Sequence, residues 1–398
     1  MSQRKHFTIL IAGAGGIGRA VGLLLSEWGD FESTIYIGDR ETDAAREAAR
    51  WLNDAHGNAT VHPFALDAAS PSPEFLSICE EADILLDCLP GSLAPALGRL
   101  ARHYEMHYVN LTEYVAETEE LQRLGAGAST GFILQTGLAP GFVNVLACRL
   151  INEFERNYRF DKLEYVGMKV GALSDYASWP SYYGVTWSPV GVATEYLKPA
   201  VVVRDFRKIT VPSLSESRSI LIDGQLYEES FTSGGAADLP DALAGRVRHL
   251  DYKTLRHPGH YDWVNDRLQE YTGENKIAWL QQQLMQHVPV MEQDRVVVYV
   301  TVRGFDKSGV LRSLDKSYNI PPVKVGRYTL RAIQATTAAP MAECASMLLT
   351  GNRKGVILQS HLDAEEFLNG RFVKAVYEQQ TVTVPSQDRP VSASARIF

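Results

Sequence analysis

The chain has 398 residues, 45% hydrophobic and 22% charged, with a formal net charge of -8. That length exceeds what one hydrophobic core normally serves, so two domains are expected, and no window offers the ~20 uninterrupted apolar residues of a membrane span. The acidic balance, without any long basic block, lacks the electrostatic footprint of a nucleic-acid binder and points to a small-molecule partner.

From residue 7 to about 135, short apolar runs alternate with longer amphipathic stretches: FTILIAG, STIYIGD, ATVHPFAL, ADILLDCLP, MHYVNL and GFILQT. This is the rhythm of an α/β, doubly wound parallel sheet of the Rossmann type, with helices on both faces. The basic start MSQRKHFTIL runs straight into a glycine-rich turn without a small-residue cleavage site, so it reads as the first strand rather than a signal peptide. Between the first two runs, Ile17, Val21, Leu24, Leu25 and Trp28 fall at helical spacing and give one apolar face.

Gly13, Gly15 and Gly18 form GxGxxG after that first strand, with Gly16 and Ile17 opening the helix. The first glycine makes the tight turn, the second lets backbone approach a pyrophosphate, and the third allows close helix-sheet contact. Asp39 ends the second run, where an acid accepts hydrogen bonds from an adenosine ribose and disfavours a 2′-phosphate. NAD is therefore the expected cofactor, while Arg40 keeps NADP open by offering a guanidinium to a phosphate. Asp67, after the third run, reads either as an adenine contact or as a surface cap. Leu89 and Pro90, closing the fourth run, suit a loop beside the nicotinamide half.

Glu113 and Tyr114 follow the fifth run at the expected C-terminal sheet edge. Glu113 reads as a base or an ammonium partner, or equally as an acid favouring the next helix's dipole. Gly137-Leu138-Ala139-Pro140-Gly141 reads as a corner before a helix, with Gly141 and Asn144 turned toward nicotinamide or substrate, though such corners also merely start helices. Residues 163 to 333 then hold aromatics and the strand-like runs LEYVGMKVGAL, VVVRDFRKITV, VRHLDYKTL, RVVVYVTVRGF and VGRYTLRAI, with a helix at ENKIAWLQQQLMQHV. A mixed, mainly antiparallel sheet is expected there.

In KTLRHPGHYDWV, Arg256 is suited to hold a substrate carboxylate by two parallel hydrogen bonds, and His260, at a helix start, to shuttle a proton. The alternatives are an ion-paired arginine and a capping or core histidine. A metal pair of His257 and His260 is discounted, because Pro258-Gly259 breaks the regular face and no nearby Cys or acid pair completes a ligand set. TTAAPMAECASMLLTG reads as one long helix placed to pack back on the first domain, and PSQDRPVSASARIF as a loose tail. The expected division is residues 1–137 for the nucleotide, 138–334 for substrate and dimerisation, and 335–398 as a return to the first domain. Cys79, Cys88, Cys148 and Cys344 show no CxxC pairing, so a reducing, cytoplasmic compartment is expected.

As a set, GAGGIG with Asp39-Arg40, DCLPGSLAPALGRLARHYEMHYVNLTEY, GLAPGFVNVLA, TWSPVGVATEYLKPA, TLRHPGH and TTAAPMAECASMLL resemble the saccharopine dehydrogenase family, its lysine 6-dehydrogenase-like (saccharopine reductase-like) members above all. The resemblance implies a Rossmann domain with an inserted α+β domain, a homodimer, and NAD(P)-linked hydride transfer at a C–N bond of an amino acid or amine. It also implies a carboxylate contact for Arg256. ESFTSGGAADL departs from the family pattern at Gly234-Gly235-Ala236, where a charged substrate contact is expected, and the aromatics of SDYASWPSYYGVTWSP suggest a flatter pocket or a domain contact. Two alternatives stand beside the dehydrogenase: a carboxyspermidine- or opine-type reductase coupling an amine to an aldehyde or keto acid, and a non-catalytic NAD(H)-binding scaffold.

Overall fold

A computed structural model describes residues 5–113, 115–158 and 162–378; Tyr114 and the tail read as loose lie outside the described residues. The alternating runs become β1 (His6–Ala12), α1 (Gly16–Trp28), β2 (Glu32–Asp39), α2 (Thr42–Asn53), β3 (Ala59–Ala65), α3 (Pro73–Glu81), β4 (Ile84–Asp87), α4 (Ala94–His103), β5 (His107–Asn110), α5 (Val115–Gly125) and β6 (Gly131–Ile133). The strands pair in parallel in the order β6-β5-β4-β1-β2-β3. Strand order therefore reverses between β4 and β1, which opens a crevice at their C-terminal ends. Along β1, Ile9 and Ile11 join one buried layer while Leu10 and Ala12 join the other. Burial on both faces is why these strands read as continuous apolar runs.

The second sheet is built from α6 (Phe142–Tyr158), β7 (Leu163–Leu173), α7 (Pro189–Leu197), β8 (Ala200–Arg204), β9 (Arg207–Val211), β10 (Arg218–Ile222), β11 (Gln225–Phe231), α8 (Leu239–Leu243), β12 (Val247–Arg256), α9 (His260–Gln269), α10 (Lys276–His287), β13 (Arg295–Phe305) and β14 (Leu311–Ile320). Its order is β10-β11-β12-β7-β13-β14, with β8 and β9 branching from β12. Among the described residues only the β12-β7 pair of this sheet is parallel, as expected of a mainly antiparallel sheet. VVVRDFRKITV is a hairpin rather than one strand, because Asp205 and Phe206 both take positive φ, 45° and 66°. Two consecutive left-handed residues twist a two-residue turn to match its flanking strands.

VGRYTLRAI is likewise not a single strand. Gly326, at φ 55°, folds it into β15 (Val323–Val325) and β16 (Tyr328–Leu330), and the chain enters α11 (Ala332–Thr350) two residues later. Asp294 fixes that entry by accepting from the N–H groups of Ala332 at 2.7 Å and Ile333 at 2.8 Å. Aimed at a helix N-terminus, its carboxylate satisfies two donors that have no partner within the helix. α11 lies against α1, and the chain continues into β17 (Gly355–Ile357), α12 (Ala364–Leu368) and α13 (Arg371–Tyr377). β17 pairs in parallel with β6, so the first sheet has seven strands among the described residues.

Candidate active site

The glycine turn leaves room for a nucleotide. Gly13 has φ 108°, and a Cβ there would meet the Cys88 carbonyl oxygen at 3.0 Å; a Cβ on Gly18 would sit 1.9 Å from the Gly13 oxygen. Gly15, by contrast, faces open space, and no side chain caps α1. Uncapped first-turn N–H groups beside a residue without a side chain fit an approaching pyrophosphate. Gly16 lies under Gln334 of α11, and Ile17 is partly buried against the core. Asp39 Oδ2 accepts from Ala14 N–H at 3.0 Å and Oδ1 from Glu41 N–H at 3.1 Å, fixing a carboxylate at the ribose end of the turn. Arg40 projects beside it, 85% exposed. Asp67 caps no helix: it closes a turn by accepting from Ala69 and Ser70 N–H, and Ser72 caps the helix that follows.

At the crevice between the two sheets lies a cavity of roughly 440 Å³. Its nucleotide side is made by Cys88, Leu89, Pro90 and Gly91 after β4 and by Glu113 after β5. Buried Asp87, which the sequence reading passed over, positions this loop by accepting from Leu89 N–H at 3.0 Å and from the Tyr108 hydroxyl at 2.7 Å. The opposite wall carries Trp187, Glu195, Tyr252 and Arg256 from α7, its approach and β12. Ser188 accepts from Gly191 N–H and Pro189 takes the first helical position, so the TWSP string both starts α7 and places Trp187 in the wall.

Arg256 is 1% exposed, and three of its donors are engaged: Nε to the Tyr196 hydroxyl at 2.6 Å, Nη1 to the Leu255 carbonyl at 3.0 Å and Nη2 to Glu195 Oε1 at 3.0 Å. A guanidinium has five N–H groups, so two remain for a ligand. Tyr183 and Tyr196 flank it, with ring centroids 4.7 Å and 5.5 Å from Cζ.

His260 does not line this cavity. It is fully buried behind Tyr196, with Nδ1 2.8 Å from the Ser181 carbonyl and Nε2 2.9 Å from the Tyr196 hydroxyl. A carbonyl only accepts, so Nδ1 carries the proton, Nε2 accepts from Tyr196, and the Tyr196 oxygen accepts from Arg256. Burial first, and then the Arg256 charge, push the imidazole down to about 3. The structure therefore takes His260 away from the position of a proton carrier in contact with substrate. His257 is half-buried against the Ser174 carbonyl.

Glu113 lines the cavity and is half-buried. Burial raises its carboxyl to about 7, opposed by the Lys198 charge. Glu195 is pushed up to about 8, mainly by burial, with Arg256 pulling it down and the Glu113 charge raising it. Glu195 is the one carboxylate in the apolar string VATEYL, which enters the sequence reading only as part of TWSPVGVATEYLKPA. Gly234 and Gly235 serve this pair in another way than a lost charge. A Cβ on Gly234 would lie 3.1 Å from Glu113 Oε2, and one on Gly235 only 2.3 Å from the Tyr252 ring.

Gly141 and Asn144 do not face the cavity. Asn144 is fully buried, accepting from Gly141 N–H at 2.8 Å and donating to the Gly235 carbonyl at 3.0 Å. Gly141 takes φ 135° with Gly137 backbone packed against it. The Ala-Pro-Gly corner thus uses Asn144 to tie the helix start to the Gly234-Gly235 loop. Its earlier residues, from Gly137 to Pro140, line the cavity instead.

Two domain models of one family match this chain: the saccharopine dehydrogenase NADP binding domain over residues 9–132, and the saccharopine dehydrogenase C-terminal domain over residues 137–376. The chain belongs to the saccharopine dehydrogenase family. Its glycine turn, Asp39 and the Leu89-Pro90 loop accordingly lie in the part matched by the NADP binding domain. Mitochondrial alpha-aminoadipic semialdehyde synthase of Mus musculus is 23% identical over 212 residues, 53% of this chain and 22% of that protein. The Arabidopsis thaliana alpha-aminoadipic semialdehyde synthase is 25% identical over 210 residues, 49% of this chain and 20% of that protein. The chain thus spans about a fifth of the length of these curated relatives.

Among solved structures, the Saccharomyces cerevisiae saccharopine dehydrogenase (L-Glu forming) shares the fold with a TM-score of 0.71 at 16% identity, covering 91% of this chain and 96% of that one. The homospermidine synthase of Legionella pneumophila, solved with NAD, gives 0.64 at 15% identity over 95% and 91%. This saccharopine dehydrogenase-family chain therefore carries the family's α/β architecture from end to end of its two matched domains. No helix among the described residues is long and apolar enough to cross a membrane.

Proposed function

We propose that the protein is an NAD-dependent oxidoreductase acting on a C–N bond of an amino acid. The observation that carries this reading is one cavity lined by the nucleotide-side loop, the half-buried carboxyl group of Glu113, the buried one of Glu195 and a buried arginine. An amine must be neutral before its carbon can lose hydride, and a carboxylate raised by burial to about 7 is matched to remove an ammonium proton near neutral pH. Glu113 is that base. The two remaining N–H groups of Arg256 bind a substrate carboxylate, while Glu195 and Tyr196 hold the guanidinium in place. Nicotinamide, when bound, takes or gives the hydride. The choice of NAD over NADP rests on Asp39, whose fixed charge opposes a 2′-phosphate.

Reductive coupling of an amine to an aldehyde or keto acid is the same chemistry reversed. It is favoured by space beyond Glu113, where a second chamber of roughly 390 Å³ leaves room for another reactant. A homodimer is supported by Phe305 and Leu311, paired across β13 and β14 and exposed at 48% and 54%. The four free thiols support a reducing, cytoplasmic setting.

The decisive experiment follows absorbance at 340 nm with NAD and amino acids, then with NADH and mixtures of amine with aldehyde or keto acid. Turnover lost in Glu113→Gln with NAD binding intact is the expected result. NAD-quenched fluorescence without turnover on any mixture would replace this reading with a nucleotide-binding scaffold.

A further inference from the structure

One glycine of the nucleotide turn is not required by its motif. In GAGGIG the tight turn, the close approach and the helix-sheet contact take Gly13, Gly15 and Gly18, while Gly16 falls at a position open to other residues. A distant side chain supplies the reason for it. A Cβ on Gly16 would lie 2.8 Å from Nε2 of Gln334, which reaches α1 from the first turn of α11.

Gln334 is presented there in a fixed way. Asp294 pins the start of α11 through the Ala332 and Ile333 N–H groups, and the helix packs along α1. Gln334 Oε1 accepts from the Arg331 N–H at 3.1 Å. A backbone N–H only donates, so the amide atom turned toward Arg331 is the oxygen, and the NH2 group is the one that faces Gly16. No described residue accepts from that NH2 group. Ile333 and Thr337, four residues apart, line the main cavity beside Leu89 and Pro90, and Gln334 falls at the edge of their helix face. Its NH2 group therefore stands between that cavity and the uncapped first turn of α1.

The residue type carries the argument further. At the third position of a helix, glutamate and glutamine cap the preceding backbone N–H equally well, and the helix dipole favours the glutamate. A glutamate here would hold a negative charge against the turn that receives a pyrophosphate. The glutamine keeps the cap with its oxygen and turns two N–H groups toward the nucleotide side.

We propose that Gln334 is a cofactor-binding residue, whose NH2 group donates to the pyrophosphate of a nucleotide seated on the glycine turn. It lies outside residues 9–132, the part matched by the NADP binding domain, so the C-terminal return completes a site that the first domain begins. The proposal rests on nucleotide binding at that turn and not on the C–N reading.

The test titrates the full chain with NADH by fluorescence, then displaces NADH with ADP-ribose, which carries the pyrophosphate, and with adenosine, which has no phosphate. Gln334→Met removes the donor without adding charge, and the Kd of NADH and of ADP-ribose should rise about tenfold, the effect of one hydrogen bond to a charged group. Adenosine should bind both proteins equally. Gln334→Glu retains the oxygen for Arg331, so its melting temperature should match the wild type while its Kd for NADH exceeds that of Gln334→Met. A Gln334→Met protein that melts lower yet binds NADH as the wild type does would make the glutamine a helix cap alone and overturn the proposal. Adenosine weakened as much as ADP-ribose overturns it too, since the loss would then come from a displaced helix. None of these readings depends on turnover, so failure of the C–N reading would be seen separately at 340 nm.

Discussion

Glu195 Oε1 lies 3.0 Å from Arg256 Nη2, with the arginine side chain 1% exposed and the glutamate 9%. Burial pushes Glu195 up to about 8, so near neutral pH it is chiefly a hydrogen-bonding partner of the buried guanidinium, and removing it leaves that charged donor unsatisfied at a cost of about 3 kcal/mol. Glu195→Ala is therefore expected to destabilise the protein on that scale, and Glu195→Gln less, since the amide oxygen still accepts from the guanidinium. Urea unfolding of both variants measures this. A loss below about 1 kcal/mol in Glu195→Ala, the range of exposed pairs, would mean that water reaches Arg256.

Glu113 gives the expected pH dependence. Its carboxyl is raised to about 7, so it is protonated below that pH and can take an ammonium proton only above it. Amine oxidation should rise as pH climbs through about 7 and then level. Glu113→Gln should remove that limb and lower kcat by roughly 10²–10⁴-fold, the usual contribution of a positioned general base. A limb that persists in Glu113→Gln would assign the titration to another group, with Glu195 next in line.

His260 should behave as a positioning residue. Because burial holds its folded-state value near 3, below the ordinary 6.5, the unfolded chain takes up its proton first as the pH falls. The stability it contributes is complete above about 6.5 and is lost progressively as pH drops toward 3, amounting to about 2 kcal/mol by pH 5. The raised carboxylates at Glu113 and Glu195 act in the opposite sense, binding protons more readily when folded. Hence the informative quantity is the difference between wild type and His260→Gln from pH 7 to pH 5, which should show the slope, while the activity limb near pH 7 stays where it is. A shift of that limb in His260→Gln would return the histidine to the proton path.

The two-layered nucleotide domain was legible because its strands are buried on both faces and its glycines have a steric reason to be there. The second sheet was legible as a class, less so in its parts. Asp205-Phe206 and Gly326 turn the chain inside runs whose composition is uniformly strand-like, and only backbone angles separate them. In the site, Arg256 and Glu113 stood out as charges at predicted sheet ends, and both line the cavity. His260 stays open in the sequence between proton shuttle and core histidine, because its burial is supplied by Ser181, 79 residues upstream, and by Tyr196, 64 upstream.

Asp39 offers the test of cofactor choice. Both of its oxygens are tied to backbone N–H groups, Oδ2 to Ala14 and Oδ1 to Glu41, so the carboxylate cannot swing aside to admit a phosphate. Exposed Arg40 is next in sequence, within 3.8 Å of Glu41, and is available to meet one once the repulsion is gone. Asp39→Asn keeps an acceptor for one of the backbone N–H groups while removing the charge. A like-charge contact costs several kcal/mol, so the ratio of NADP to NAD affinity should rise on the order of a hundredfold. Fluorescence titration of both nucleotides against wild type and variant measures the ratio. If the wild type already prefers NADP, or the ratio does not move in Asp39→Asn, the carboxylate does not face the ribose, and the preference is set elsewhere on the turn.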